Sequence, residues 1–388
     1  MKKILLLGGS HRDIPLIKAS QELGYFVITL GDRDYYLGHQ YSDKSYKINF
    51  NDLEKVKKIA LDEQIDYLLP GCGEESYLKT VQLSHELNIG NFDTLKTAKL
   101  IHNKWKFKDF CLKNTISAPN GIFYKDQNDL KNLHFPIVVK PTNLSGGRGV
   151  EIVHDTDELQ KSLTNAQKFS DEIFLEEFID GKLIAYSIFL KNQKIIYGFV
   201  GDDKTYLNAY LIASAYPTDI EDVVLNKLKD DIEKLARLLH LVDGMFHLQV
   251  LIKEQKPYII DVTRRIPGDL YPYLIEYCDN VEYSKAVVNA YTTGIITDEF
   301  DHKSKKQTFV IRHCVMPSKN GIYTNIIIDE SLQNKILYRF DLMESEAIIT
   351  DFLHTQLAII FIKLDYADNT ILENIESVIT PSVKDILD

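Results

Sequence analysis

A lysine at the end of an apolar run, followed by a glycine-rich loop, is the strongest chemical signal in the sequence. Lys140 ends the run that begins at Ile137, and the loop after it contains, in order, Ser145, Gly146, Gly147, Arg148 and Gly149. Glycine lets backbone N–H groups approach a phosphate closely, and the two basic side chains add positive charge. The pattern fits a phosphate-binding loop, and it fits equally well a flexible β-hairpin with incidental basic residues.

Four further segments accompany this loop along the chain. They are Asn103-Lys104, Leu175–Gly181, His247–Val250 and Ile260–Arg265. The order and spacing of the five segments resemble the ATP-grasp superfamily, of the carboxylate–amine ligase type with an N-terminal pre-ATP-grasp domain, similar to carbamoyl phosphate synthetase and biotin carboxylase-like enzymes. The resemblance covers the chain from Met1 to about Tyr291, and the last eighty or so residues resemble the family only loosely.

The elements that must position these residues follow an α/β pattern. Apolar runs at Ile4–Leu7, Phe26–Leu30 and Ile65–Leu69 alternate with helical patterns, which predicts a parallel sheet. A further helix is predicted from Thr94 to Asn114, and the chain after about Asp298 is rich in strand patterns.

The resemblance implies an ATP-grasp fold of three domains. A Rossmann-like pre-ATP-grasp domain would span residues 1–93, and the ATP-grasp domain would span residues 94–300, with a glycine-loop subdomain at about 115–180. Residues 301–388 would form a strand-rich C-terminal domain.

The resemblance also implies a set of ATP-binding residues. Lys104 and Lys140 match the family lysines that reach the nucleotide phosphates, and residues 145–149 match the loop that closes over them. The carbonyl of Glu177 and the N–H of Ile179 would bind the adenine edge. The matching hinge consists of Glu176, Glu177, Phe178 and Ile179.

A metal site and a catalytic arginine follow from the same resemblance. Gln249 and Asp261 match the metal-binding pair, with Thr263 as a weaker ligand, and their oxygens suit Mg²⁺, with Mn²⁺ as an alternative. Arg265 matches the arginine that holds the activated carboxylate, and together with Lys140 it is a predicted catalytic residue. The sequence departs from the family pattern here, because Asp261 and Thr263 stand where relatives carry glutamate and asparagine. The family's ribose-binding glutamate also has no counterpart within 182–186.

Five other residues are candidates for contacts with the second substrate. They are Glu74, Arg264, Tyr271, Arg312 and His313. Each has a structural alternative: Glu74 suits the start of a helix, the segment around Arg264 and Tyr271 suits a surface turn, and Arg312-His313 suits a packing pair.

The predicted function is that of an ATP-dependent ligase, which activates a small-molecule carboxylate as an acyl phosphate for attack by an amine. An ATP-grasp carboxylase or phosphotransferase is the first alternative. The turn Gly8–Asp13, with Asp32 after the second strand, leaves a nicotinamide-binding oxidoreductase open, although the third glycine of its usual fingerprint is missing. A nucleotide-binding protein without turnover is the remaining alternative.

Composition narrows the class of protein further. The net charge of −11 argues against nucleic acid as a partner, and no apolar stretch is long enough for a transmembrane helix. The four cysteines show no paired spacing, which favours a reducing cytoplasm. The expected partners are therefore a small-molecule acid and amine, and a homodimer is allowed.

Overall fold

The computed structural model describes residues 1–33, 35–126, 130, 133–142, 149–301 and 307–386. The chain folds into two compact units. The central unit contains Asp93–Gly198 and Asp219–Arg264, and the flanking unit contains Met1–Phe92, Phe199–Thr218 and Arg265–Asp388. The three domain boundaries given above stay a prediction.

The flanking unit begins with a parallel sheet of four strands in the order β3-β2-β1-β4. Its strands are β1 (Lys3–Leu7), β2 (Phe26–Leu30), β3 (Lys44–Tyr46) and β4 (Tyr67–Pro70), and its helices are α1 (Ile14–Glu22), α2 (Leu53–Asp62) and α3 (Glu74–Leu87), with 3-10 turns at His11–Asp13 and Leu37–Tyr41. Strand β1 pairs in parallel with both β2 and β4, and its apolar side chains are buried. The predicted parallel sheet is confirmed.

The central unit opens with two short helices, α4 (Leu95–Ile101) and α5 (Lys104–Lys113). The prediction of one continuous helix from Thr94 to Asn114 is wrong. The side chain of Asn103 accepts a hydrogen bond of 3.0 Å from the backbone N–H of Lys106, and so caps the N-terminus of α5. The break makes Lys104 the first residue of a new helix.

A small four-stranded sheet follows in the central unit. Its elements are β5 (Gly121–Phe123), β6 (Ile137–Pro141), β7 (Glu151–Val153), α6 (Thr156–Ala166) and β8 (Ile173–Glu177), with the strands in the order β5-β8-β6-β7. Alternating apolar residues of β6 and β8 pack with α6 into one core. The opposite face of the sheet is left for polar side chains.

Long antiparallel strands make up the rest of the central unit. The chain continues through β9 (Lys182–Lys191), β10 (Lys194–Thr205), β11 (Ile212–Pro217), α7 (Asp222–Leu239), β12 (Gly244–Lys253) and β13 (Lys256–Thr263). The sheet of this unit has the order β13-β12-β9-β10, to which β10 contributes residues 194–198, and the rest of β10 belongs with β11 to the flanking unit. Helix α7 buries one apolar stripe, at positions three or four residues apart.

The C-terminal part of the flanking unit is rich in strands. It contains α8 (Tyr271–Asp279), α9 (Tyr283–Thr292), β14 (Phe309–Val315), β15 (Gly321–Ile328), α10 (Glu330–Gln333), β16 (Ile336–Asp341), β17 (Ile348–Ile349), β18 (Ala358–Leu364), α11 (Asn369–Glu373), α12 (Ile375–Val378) and β19 (Ile379–Lys384). Strands β11, β14, β18 and β16 are neighbours in one sheet, and β17, β15 and β19 form another. Apolar residues of both sheets share a core.

Candidate functional site

Helix α5 carries two lysines one turn apart. Lys104 is its first residue and Lys108 follows four positions later, so both side chains lie on one side of the helix. The Nζ atom of Lys104 lies 3.5 Å from Oδ2 of Asp261 on β13. The Nζ atom of Lys108 lies 2.7 Å from Oε2 of Glu176 on β8. One helix therefore brings a cation to each of the two sheets of the central unit.

Strands β12 and β13 present oxygen-bearing side chains beside Lys104. Gln249 is directly opposite Asp261 in this antiparallel pair, and His247 is opposite Thr263. Opposite residues of an antiparallel pair point to the same face, as do residues two positions apart, so the four side chains share one face. The side chain of Asp261 is 38% exposed and therefore accessible to a ligand.

The oxygen donors on this face fit a magnesium ion that arrives with a nucleotide. The carboxylate of Asp261 and the amide oxygen of Gln249 are hard ligands of the type that Mg²⁺ takes. No group of three or more His, Cys, Asp or Glu residues that could hold a metal occurs in the part of the chain that the structure describes. A metal at this face would therefore depend on oxygens that the nucleotide or water supplies.

The open face of the small sheet carries a buried charge cluster. Glu176 on β8 pairs in register with Val138 on β6, two residues from Lys140, so Lys140 and Glu176 lie on the same face. The Nζ atom of Lys140 lies 2.7 Å from Oε1 of Glu176, and Lys108 holds the other carboxylate oxygen. The cluster Lys108–Glu176–Lys140 thus joins three elements: α5, β8 and β6.

Burial controls the ionisation of this cluster. Only 4% of the side chains of Lys108 and of Glu176 is exposed. Burial lowers the pKa of Lys108, and the charge of Glu176 opposes that shift. Burial would raise the pKa of Glu176, but the charges of Lys108 and Lys140 outweigh it and keep that pKa below its ordinary value. Glu176 is therefore a carboxylate that depends on its two cationic neighbours.

Sequence reasoning missed Lys108. The available signal was its position, one helical turn after Lys104 on the predicted helix. Glu176 had been predicted only as part of the adenine hinge, and its carboxylate has this additional role in the structure.

The predicted adenine hinge lies directly after β8, where the small sheet gives way to β9. The backbone N–H of Glu177 donates to the carbonyl of Asn120 at 2.8 Å, and the N–H of Phe178 donates to the carbonyl of Pro136 at 3.3 Å. Ile179 is buried. The segment is thus fixed on both sides, and adenine binding through Glu177 and Ile179 stays a prediction.

Most of the predicted phosphate loop falls outside the described residues. These positions are Ser145, Gly146, Gly147 and Arg148. Gly149 is described, and its φ of +71° is one that glycine adopts without strain. The phosphate-loop prediction is therefore not tested by the geometry.

In the flanking unit, the glycine turn after β1 is occupied by a side chain of the protein itself. One carboxylate oxygen of the buried Asp13 accepts hydrogen bonds from the N–H groups of Gly9 and Ser10, at 2.9 Å and 2.8 Å. The other oxygen accepts from the N–H of Cys72 at 2.7 Å. The pyrophosphate of a nicotinamide cofactor would need such N–H groups. The turn therefore gives no support to the oxidoreductase alternative.

A second charge cluster of the flanking unit is centred on Asp269. The Nε atom of Arg12 donates to Oδ1 of Asp269 at 3.0 Å, and Nη1 of Arg312 donates to its backbone carbonyl at 3.3 Å. Gln356 donates to Oδ2 at 3.2 Å. Burial alone would raise the pKa of Asp269, but Arg12, with smaller contributions from His11 and Arg312, holds it well below the ordinary range. Asp269 lies in the segment around Arg264 and Tyr271 that is predicted either to face the second substrate or to form a surface turn, whereas Arg12 and Gln356 have no predicted substrate role.

The structure brings two of the predicted substrate residues to this cluster. The guanidinium of Arg312 lies over the ring of Tyr271, with 5.5 Å between its central carbon and the ring centroid. His313 is buried and bonds to the hydroxyl of Ser214 through Nδ1 at 2.8 Å. Burial, with a smaller effect of Arg312, lowers the pKa of His313 to about 3. The imidazole is therefore neutral at physiological pH.

Arg265, Arg264 and Glu74 have different surroundings. Nη1 of Arg265 donates to the carbonyl of Ile266 at 3.0 Å. Arg264 is buried in the central unit, where it donates to a carboxylate oxygen of Asp93 and to two backbone carbonyls, at 2.6–2.8 Å. Because these hydrogen bonds are made within the protein, they favour a structural role for Arg264. Glu74 is the first residue of α3, where an acidic side chain suits the helix dipole.

Comparisons with known proteins agree with this architecture. A family model described as the C-terminus of D-Ala–D-Ala ligase matches residues 103–269, which include both α5 lysines, Glu176 and Asp261. The large chain of carbamoyl phosphate synthase from Clostridium beijerinckii is 24% identical over 298 residues, which cover 70% of this chain and 27% of the relative. The chain thus spans about a quarter of the length of that relative.

Two solved structures share the fold over nearly the whole chain. An L-amino acid ligase from Bacillus licheniformis superposes with a TM-score of 0.85 at 16% identity, over 99% of each chain. The biotin carboxylase domain of 2-oxoglutarate carboxylase from Hydrogenobacter thermophilus has a TM-score of 0.79 at 16% identity, over 99% of this chain and 91% of that chain. That domain was solved in complex with MgADP, ADP and bicarbonate.

The chain has the ATP-grasp fold. The predicted resemblance to the ATP-grasp superfamily is confirmed. The predicted fold class is also confirmed: an α/β ATP-grasp fold with an N-terminal Rossmann-like parallel sheet and a strand-rich C-terminal region.

One negative finding concerns membranes. Within the ranges that the structure describes, the ATP-grasp chain has no helix that is both long and apolar enough to cross a bilayer.

Proposed function

We propose that the protein is an ATP-dependent ligase that activates a small-molecule carboxylate as an acyl phosphate, which an amine then attacks. The observation that carries the proposal is helix α5, which presents Lys104 to Asp261 and Lys108 to the Glu176–Lys140 pair within one unit. Two partly exposed cations, Lys104 and Lys140, and an accessible carboxylate are the groups that a magnesium–triphosphate needs.

The nucleotide would bind through the central unit. Lys104 and Lys140 donate charge-assisted hydrogen bonds to its phosphates, together with the loop at 145–149. The hinge at 176–179 binds the adenine edge. Asp261 and Gln249 hold Mg²⁺, with Thr263 as a weaker ligand and Mn²⁺ as a substitute. The metal would neutralise charge on the phosphates, and the protein contributes mainly positioning and electrostatic stabilisation.

The reaction follows from these roles. An oxygen of the substrate carboxylate takes the terminal phosphoryl group of ATP, and ADP leaves. The amine nitrogen then attacks the acyl carbon, inorganic phosphate leaves, and a C–N bond forms. Arg265, which follows Asp261 closely in the chain, binds the acyl phosphate through its planar guanidinium.

The second substrate would bind to the flanking unit. Arg312 and Tyr271 contribute one cluster of contacts there, with Glu74 and His313 as further candidates. Because His313 is neutral at physiological pH, it would act as a hydrogen-bonding group rather than a cation.

Hydroxylamine trapping tests the proposal. The protein is incubated with Mg-ATP, hydroxylamine and a panel of carboxylic acids, including amino acids, peptides and sugar acids. A hydroxamate formed with release of ADP supports an acyl phosphate. Release of AMP, or no trapped product with any acid despite binding of ATP, contradicts the ligase proposal.

Carboxylation is the second candidate, because the fold matches that of a biotin carboxylase domain. Bicarbonate-dependent release of ADP without a hydroxamate of an organic acid would favour it. A cytoplasmic location and a homodimer stay proposals, and light scattering during gel filtration tests the dimer.

A further inference from the structure

Glu176 is a buried carboxylate whose two oxygens each face a lysine. Oε1 lies 2.7 Å from Nζ of Lys140, and Oε2 lies 2.7 Å from Nζ of Lys108. The Lys108 side chain is almost wholly buried, whereas 23% of the Lys140 side chain is exposed. The two cations therefore differ in access to a ligand, although they share one anion.

The proposed function requires the ammonium group of Lys140 to contact the nucleotide phosphates as well as Glu176. A lysine that binds nucleotide phosphates must direct its ammonium group at them, and in the structure that group is paired with Glu176. Removing one partner from a buried ion pair is costly because it leaves an uncompensated charge in a medium of low dielectric constant. Lys140 can change partners only if Glu176 keeps another cation.

We infer that Lys108 is a positioning residue, which holds Glu176 in place while Lys140 moves from Glu176 to the phosphates. This inference rests on the proposed function in one respect, that Lys140 binds phosphate.

The surroundings of Lys108 suit this role. It lies on α5, one turn from Lys104, and its Nζ atom is also 3.5 Å from the backbone carbonyl of Ile259 on β13. Three elements thus fix the ammonium group: its own helix, β8 through Glu176, and β13 through Ile259. It has little freedom to leave Glu176, whereas Lys140 is the last residue but one of β6, shortly before the glycine-rich segment of the sequence.

Four variants test the inference. Lys108→Met removes the fixed cation, and Lys108→Met combined with Glu176→Gln removes the whole buried pair and leaves Lys140 free. Lys108→Arg keeps a cation. Lys113→Met is the matched control, because Lys113 is an exposed lysine of the same helix. Circular dichroism and melting temperature establish that each variant is folded.

The first readout is the affinity for Mg-ATP by calorimetry. We expect Lys108→Met to bind about tenfold more weakly, because Lys140 stays with Glu176. Lys108→Arg should recover to within about threefold of the wild type, the double variant should bind at least about threefold more tightly than Lys108→Met, and Lys113→Met should be unchanged. Wild-type affinity in folded Lys108→Met, or a double variant no better than the single one, overturns the inference. If Lys108→Met does not fold, the double variant decides: an affinity far below that of the wild type counts against the inference.

The second readout needs no nucleotide. The rate at which acetic anhydride acetylates Lys140 in the free protein is measured by peptide mass spectrometry. It should fall about threefold or more in Lys108→Met and recover in the double variant, because a lysine that is the sole partner of Glu176 is less often a free amine. An equal rate in all variants contradicts partner exchange. If Lys140→Met leaves the ATP affinity unchanged, the proposed phosphate role of Lys140 fails, and the acetylation rates still report on the pairing.

Discussion

In the central unit the carboxylate of Glu176 lies between two lysines, whereas in the flanking unit Asp269 lies between two arginines. A lysine ammonium is a compact charge on a flexible stem, and its three donors rotate freely. A guanidinium is a rigid planar group, and Nη1 of Arg312 donates to the backbone carbonyl of Asp269 and lies 4.0 Å from its carboxylate. The lysine cluster is therefore suited to exchange of partners, and the arginine cluster to holding one geometry.

We therefore expect substitutions in the two clusters to affect different properties of the protein. Substitutions at the central cluster and its neighbours should act mainly on nucleotide binding and turnover. Substitutions at the Asp269 cluster should act on the stability of the fold and, through Arg312 and Tyr271, on the second substrate, but not on nucleotide binding. The predictions below test that contrast, beginning with the largest expected effect.

Asp261→Asn should reduce turnover at least about 1000-fold, or ~4 kcal/mol in activation free energy. The substitution keeps the size of the side chain and removes the carboxylate that fits Mg²⁺ beside Lys104. Steady-state release of ADP with the acid found by hydroxamate trapping measures the loss. Binding of ATP without metal should change little.

Asp109→Asn is the control for this prediction, since Asp109 is an exposed acid on α5. Substantial release of ADP by Asp261→Asn would show that the metal is held elsewhere.

Asp269→Asn should lower the free energy of unfolding by about 1–3 kcal/mol, because it removes the carboxylate that pairs with Arg12 and lies 4.0 Å from buried Arg312. The arginines hold the pKa of Asp269 below its unfolded value, so this contribution is present at neutral pH. It is lost as the pH falls below about 4. Denaturant unfolding at pH 7 and at pH 3 should therefore show a smaller gap between wild type and variant at the acid pH.

The exposed Asp351 provides the comparison for that experiment, and Asp351→Asn should cost less than ~0.5 kcal/mol. If Mg-ATP abolished the destabilisation caused by Asp269→Asn, the two clusters would not differ in the way described.

Lys140→Ala should weaken ATP binding about tenfold or more. The lost contact is a charge-assisted hydrogen bond to a phosphate, worth ~1.5–3 kcal/mol. Calorimetry measures the affinity, and Lys113→Ala serves as the exposed-lysine control. An unchanged affinity in folded Lys140→Ala would remove this residue from the nucleotide site.

The sequence predicted those parts of the fold and of the candidate site that depend on local pattern. The parallel sheet follows from buried apolar runs that alternate with helices, as in β1 and β2. The break before α5 was missed, because one side-chain hydrogen bond from Asn103 interrupts an otherwise continuous helical pattern.

The charge pairings that the sequence did not reveal share one property: the two partners are distant in sequence. Lys108 looks like any polar residue of an exposed helix, and its burial depends on Glu176 from β8. Arg12 and Asp269 are 257 positions apart, and no spacing rule connects them. Composition and periodicity cannot show such pairings, because the tertiary fold alone brings the charges together.

The smallest predicted effect, a change in the pH dependence of stability, concerns Glu276. It compares two partly buried acids of the flanking unit, Glu276 and Asp269. This glutamate of α8 lines a cavity of about 220 Å³ beside Lys18 and Lys285, and it accepts a hydrogen bond of 2.8 Å from the N–H of Ser284. Burial raises the pKa of Glu276 to about 7, although the bond from Ser284 opposes the shift. Unlike the carboxylate of Asp269, the carboxylate of Glu276 has no arginine among these cavity-lining residues to stabilise its negative charge.

Glu276→Gln should therefore change the pH dependence of stability. In the wild type the folded state binds this proton more tightly than the unfolded state, so stability should fall as the pH rises from about 4.5 to 7. The amide introduced by the substitution is neutral throughout, so the variant should be the more stable protein at pH 8, by about 1–3 kcal/mol once partial exposure of the side chain is allowed for. Urea unfolding at pH 5, 6, 7 and 8 compares the two slopes. If the two stability curves are parallel, the pKa of Glu276 is not raised in the folded state. Its surroundings would then stabilise its negative charge as well as the arginines stabilise that of Asp269.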